Sequence, residues 1–253
     1  MWHSGGTVRA EPFIPYPDWR ASAEEIERLE TLANVWRYID ENPERFREAL
    51  LTHVQLSALA LVAALAIFVP LGVLSARSRS LGPPIIAAVA GARVVPSLAV
   101  LFLLYPYRRQ VGDLLPMFDR NFALALIALT MLAGPPIIIN TDAGLRGVDA
   151  AILENARGLG MKPRQVFARV HLPLALPIVI AGVRTAGVEV VASATLAAFI
   201  GTGSLGRFIN SGLTLLDTTL LLVGAIPVTL LALTVEGVLA WLERLVTPAG
   251  LTP

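Results

Sequence analysis

Residues 154–173 read ENARGLGMKPRQVFARVHLP, a polar stretch with four basic residues set between long apolar runs. The spacing is Glu154-x-Ala156-x3-Gly160-x9-Val170-x-Leu172-Pro173. Glu154, placed near the start of a short helix, suits the positive end of its dipole. Gly160 can end that helix, with Pro163 close behind. Arg157, Lys162, Arg164 and Arg169 face lipid headgroups or an acidic partner surface, and Leu172-Pro173 begins the return to the bilayer. Any one of these features also fits an ordinary amphipathic connector; their joint spacing is more specific.

The surrounding chain is a membrane protein. It has 253 residues, 55% hydrophobic and 15% charged, with a mean hydropathy of +0.67. Soluble domains carry about 25% charged residues. The deficit is uneven, since the first fifty residues hold sixteen charges and long stretches beyond them hold none. A bilayer core about 30 Å thick needs roughly 20 apolar residues in a helix. Five spans meet this, near 54–76, 81–105, 121–141, 174–200 and 218–242. Segment 1–50 precedes them as an extension, 51–245 forms the transmembrane domain, and 246–253 is a short tail. The fold class is all-α integral membrane protein. Gly and Pro within the spans are tolerated because neighbouring helices satisfy the freed backbone groups.

Charge sets the orientation. The loop after the first span holds Arg77 and Arg79 without an acid, and segment 142–173 holds Arg146, Arg157, Lys162, Arg164 and Arg169. Lys and Arg excess marks the cytoplasm, and two crossings separate these loops, so they agree. The N-terminus is expected outside and the C-terminus inside. Residues 1–50, with six Arg against ten acids, fit an exported segment. The three Arg between 108 and 120 run against this orientation, but the reverse exports five basic residues.

Other features bound the function. Met1 to Asp18 has no apolar core and contains Pro12, Pro15 and Pro17, so no cleavable leader is expected. Ala21 to Asp40 places Ile26, Leu29, Leu32, Ala33 and Trp36 at helical spacing, an amphipathic helix for the bilayer surface, the protein surface or a solute-binding partner. Ser22 precedes Glu25 in a capping-box arrangement. There is no cysteine, and His3, His53 and His171 are too scattered for a metal site. No metal or cofactor is expected, and no basic stripe with aromatics points to nucleic acid. Gly201-Thr202-Gly203-Ser204-Leu205-Gly206 lacks the preceding strand and the lysine of a nucleotide loop and is read as a hinge outside the membrane.

The 154–173 spacing resembles the EAA loop of the membrane subunits of bacterial ABC importers, which docks on the ATP-hydrolysing subunit. It departs from that pattern at Asn155, where a second Ala is usual. The resemblance covers about residues 50–245 and points to the osmoprotectant branch, permeases for glycine betaine, carnitine or choline. Val95-Pro96-Ser97-Leu98-Ala99, Gly147-Val148-Asp149, Leu174-Ala175-Leu176-Pro177 and Gly182-Val183-Arg184-Thr185-Ala186 carry it. So do Ala194-Thr195-Leu196-Ala197-Ala198-Phe199-Ile200-Gly201, Gly203-x-Leu205-Gly206 and Gly224-Ala225-Ile226-Pro227. It implies a type I importer fold in the bacterial inner membrane. Its expected partners are a second permease subunit (a homo- or heterodimer), cytoplasmic ATPase subunits and a separate extracytoplasmic binding protein. Glu154, Asn155, Ala156, Arg157, Gly160, Lys162, Leu172 and Pro173 are the coupling residues it implies.

Charges within the spans are candidates for lining a passage. Arg93 and Glu189 sit inside spans two and four, where a charge costs about 2.5–3.5 kcal/mol on insertion scales. Either they pair and face the passage, or Arg93 snorkels while Glu189 is protonated or faces water. Ser97, Ser193 and Thr195 are further pathway candidates, though interhelical hydrogen bonding is the commoner role of such residues and of Thr130 and Asn140. Arg184 and Glu236 are expected to snorkel. The leading expectation is a non-catalytic permease subunit for a compatible solute. Alternatives are a permease for an amino acid or other small polar solute, an ATP-independent channel, and an intramembrane enzyme built on Ser193 and Glu189.

Overall fold

The computed structural model describes the backbone of residues 19–247 and the side chains of 30–247. It is helical, with no strand among the described residues. The elements are α1 (Trp19–Glu41), α2 (Pro43–Arg77), α3 (Gly82–Ala92), α4 (Ser97–Leu104), α5 (Arg108–Leu114), α6 (Arg120–Arg146), α7 (Ala150–Gly158), α8 (Pro163–Val166), α9 (Leu172–Ala194), α10 (Gly206–Leu215) and α11 (Thr218–Val246).

Four helices are long and apolar enough to cross a membrane: Pro43–Arg77, Arg120–Arg146, Pro163–Ala194 and Thr218–Val246. The second expected span, 81–105, is not one rod; α3 and the stretch Ser97–Leu114 meet at 92°. Pro96 is the cause. It lacks an N–H, disfavours helical backbone at Val95, and itself adopts φ −58°, ψ 136°.

The bent pair nevertheless carries the chain across. The Arg146 guanidinium donates to the carbonyl of Ser75 at 2.6 Å, so α2 and α6 end side by side. At the other end of α6, Asn121 lies against Gly201. The chain must therefore cross between the end of α2 and the start of α6, which makes five crossings. The fourth span differs too: its helix begins at Pro163, widens into a π-helical turn at Phe167–His171, and ends at Ala194, before a 3-10 turn at Leu196–Ile200. Pro173 cannot donate to the preceding turn, and the Leu172 N–H reaches back five residues to Phe167, which opens that turn.

Helix α6 forms the centre. In its most apolar window 61% of residues are buried, against 28% or fewer in the other three long helices. It packs on α2 and α9 through small side chains, Ala60 and Ala64 of α2, Ala125, Ala128 and Ala133 of α6, and Ala186 of α9. Small residues let backbones approach where no hydrophobic effect separates protein from lipid. A Cβ at Gly72 would lie 2.6 Å from the Thr141 Cβ, so only glycine fits between α2 and α6 there.

Helix α1 confirms the helical reading of 21–40 but not its packed face. Val35 is buried, with Tyr38 and Ile39 against it, in a cluster with Phe208 and Val223. Leu32 and Trp36 are exposed, as is Ala33. The sequence carries two neighbouring apolar stripes, and the aromatic pocket around Phe208, edge-on to Tyr38 at 5.9 Å, selects the second. The helix backbone starts at Trp19, so Ser22 lies within it rather than before it. The side chains of Ser22, Glu25, Ile26 and Leu29 lie outside the described residues.

Candidate functional site

The polar interruption folds as a helical hairpin. Asp149 accepts from the backbone N–H of Ala151 at 2.8 Å and caps α7. Glu154 is therefore mid-helix and exposed; the dipole-matching acid expected at that position is Asp149. The helix ends as expected at Gly160, with φ +82°. Gly160 N–H donates to Arg157 and Met161 N–H to Ala156, the two bonds of a Schellman ending. Pro163 opens α8, and Gln165 accepts from the Lys162 N–H at 2.8 Å. Ala156 is buried, while Glu154, Asn155, Arg157, Gly160 and Lys162 face outward. Leu159 at the tip is 85% exposed, an apolar knob among polar groups. Leu172 and Pro173 begin α9.

A network of side chains that the sequence did not single out fixes this hairpin on the membrane helices. Ser75 donates to Asp142 at 2.7 Å, and Asp142 accepts from Arg146 at 2.9 Å. His171 donates to the carbonyl of Leu145 at 2.7 Å, and Arg77 lies over the Phe167 ring at 4.3 Å. The C-termini of α2 and α6 and the start of the fourth span are thereby tied together. Asp142 in a helix that also carries Arg146 one turn on was the available signal.

The second feature is a cavity of about 470 Å³ where α3, α4, α6 and α9 meet. Arg93, Ser97 and Glu189 line it together, with Val94, Val100 and Met131. Arg93 and Glu189 face the same cavity, yet no ion pair joins them among the described residues. The other two pathway candidates are elsewhere. Ser193 is buried, and Thr195 donates to the carbonyl of Ala192 at 2.6 Å.

Other membrane-depth polar groups behave differently from the sequence expectation. Thr130 bonds the carbonyl of Leu126 and Asn140 that of Pro136, both within their own helix rather than between helices. Arg184 does not snorkel alone; it pairs with Glu236 at 3.2 Å and Glu243 at 2.9 Å, joining α9 to α11.

A family model described as "Binding-protein-dependent transport system inner membrane component" matches residues 49–248. The chain is 39% identical over 214 residues to the carnitine transport permease protein OpuCB of Listeria monocytogenes, covering 85% of this chain and 94% of that one. It is 38% identical to the choline transport system permease protein OpuBB of Bacillus subtilis, covering 79% and 87%. Among solved structures, a chain of the inward-facing MetNI methionine ABC transporter superposes with TM-score 0.71 at 20% identity, covering 81% and 97%. A chain of an amino acid ABC transporter gives 0.66 at 20% identity, covering 82% and 96%. These neighbours share the fold, that of type I ABC importer permeases. The five-crossing bundle and the match across four-fifths of its length place this chain in the family of binding-protein-dependent transport system inner membrane components.

Proposed function

We propose that the chain is the permease subunit of an ATP-driven importer that moves a compatible solute of the glycine betaine, carnitine or choline type. The similarity to carnitine and choline permeases over most of the chain supports the solute class. The hairpin supports the energy source. Leu159 stands exposed at the tip of a helical hairpin, or peg, on which Glu154, Asn155, Arg157 and Lys162 are also exposed, and Gly160 sets its turn. Leu172 and Pro173 root the peg in the membrane helix. In this reading the peg docks on a separate cytoplasmic ATPase subunit, where ATP is hydrolysed. An extracytoplasmic binding protein delivers the solute, and a second permease subunit completes the passage. In this reading the N-terminus lies outside and the C-terminus inside, which the basic loops at 77–79 and 142–173 support. Segment 51–245 is the transporting unit, and 1–50 is an appended extension.

The observation that carries this reading is the polar hairpin whose second arm continues from Pro163 into the fourth span, because force applied at the tip is passed along that helix into α9. The test is ATP-dependent uptake into proteoliposomes holding this permease with its ATPase and binding protein. Accumulation of glycine betaine, carnitine or choline is expected. Accumulation of methionine or histidine alone, or equal uptake without ATP, would overturn it.

A further inference from the structure

We propose that the cavity between α3, α4, α6 and α9 is a subsite for a zwitterion, with Arg93 holding the solute's carboxylate and Glu189 its quaternary ammonium. This deepens the function proposed above and rests on it. Nothing in the family assignment places the solute on these two residues.

Three observations converge on it. Arg93 and Glu189 lie on different elements and line one cavity, and no ion pair satisfies either among the described residues. Two opposite charges left apart at membrane depth call for a ligand carrying both signs, since a zwitterion neutralises each charge without adding net charge. The volume, about 470 Å³, falls in the range of small-molecule sites, about 300–1,000 Å³. Apart from Ser97 the remaining wall is aliphatic, including Val94, Val100, Leu103 and Met131, and none of the lining residues is aromatic. Methylated nitrogen can rest on such a wall, but without ring faces it finds its counter-charge only at Glu189. A site of this kind holds its ligand loosely, as a passage requires.

The geometry also links the subsite to energy. Arg93 stands on the break before Pro96, while Glu189 is on the helix that runs unbroken from Pro163 at the hairpin to Ala194. Displacement of the hairpin shifts Glu189 relative to Arg93 and separates the two ends that grip the solute.

The test uses the assembled importer and compares glycine betaine and carnitine, which carry a carboxylate, with choline, which does not. For Arg93→Gln, glycine betaine and carnitine uptake fall about tenfold or more, while choline uptake changes by less than about twofold. For Glu189→Gln all three fall. The binding protein is unchanged in these variants, so solute-selective loss arises in the membrane. Wild-type importer that accumulates none of the three solutes sinks the functional reading itself. If wild type accumulates them but Arg93→Gln slows choline as much as glycine betaine, or slows neither, the subsite alone is overturned. A second measurement does not depend on either variant folding. Val94→Cys puts the chain's only cysteine on the cavity wall, and glycine betaine slows its labelling by a maleimide. Equal protection by acetate or tetramethylammonium at the same concentration overturns the two-ended site.

Discussion

His53 in α2 donates from Nε2 to the carbonyl of Val191 in α9 at 3.1 Å, joining residues 138 positions apart. The carbonyl is open because the Thr195 N–H turns back to Ala192 at 3.3 Å instead. Helix α9 thus ends inside the bundle, and its last carbonyls are met by other groups, Val191 by His53 and Ala194 by Ser204 at 2.9 Å. Orphan carbonyls at a helix end need partners where water is excluded. His53→Leu removes the donor and is expected to cost about 1–2 kcal/mol. His53→Gln, which retains an N–H, recovers at least half of this. Unfolding of the purified permease in mixed detergent micelles reads the difference; equal losses for both variants would deny the capping role.

Asp142 is the centre of the clamp on α2 and α6, accepting from Ser75 and Arg146. Its side chain is 11% exposed and that of Arg146 39%. Breaking a fully buried ion pair costs about 3–5 kcal/mol, and solvent around Arg146 reduces the expected loss for Asp142→Ala to about 1–2 kcal/mol. Ser75→Ala, which leaves the ion pair intact, costs less. The same unfolding assay ranks the two, and a larger loss for Ser75→Ala would displace Asp142 from the centre.

Leu159 and Gly160 separate docking from folding. Leu159→Glu changes only an exposed tip and is expected to leave thermal stability unchanged while weakening ATPase-subunit capture about tenfold or more. Gly160→Ala forces a side chain into the left-handed region at φ +82°, at a cost of about 1–2 kcal/mol. Its effect is expected as faster amide exchange across 156–161 even without the ATPase. Undiminished capture by Leu159→Glu would remove the peg from the coupling role.

Sidedness can be read directly, because the native chain has no cysteine. Met117 and Leu159 are 79% and 85% exposed, and the spanning helix α6 lies between them in the chain. Met117→Cys should react with a membrane-impermeant maleimide in intact cells, and Leu159→Cys only after the membrane is opened. The reverse pattern would invert the orientation drawn from the basic loops.

The hairpin was almost wholly legible in advance. Gly160 and Pro163 mark its turn through local steric rules, and both stand where those rules put them. The one misplaced detail is the helix start, which Asp149 sets by capping α7; Glu154 belongs to the resembling pattern but stands mid-helix. The passage was half legible. Arg93, Ser97 and Glu189 do share a cavity, whereas Ser193, a turn further along α9 and buried, and Thr195, just past the helix end, do not line it.

Sequence by itself determined the number of apolar runs and the polar hairpin between the third and fourth; it gave 81–105 as one span, and the break at Pro96 came only with the structure. Run length, backbone sterics and missing N–H groups act within a few residues of themselves. Tertiary structure alone decided the 92° angle at that break, the face of α1 that packs on Phe208, the pairing of Arg184 with Glu236 and Glu243, and the bond from His53 to Val191. Those pairings join residues dozens to more than a hundred positions apart, and only the close packing of α2, α6, α9 and α11 brings their side chains within reach.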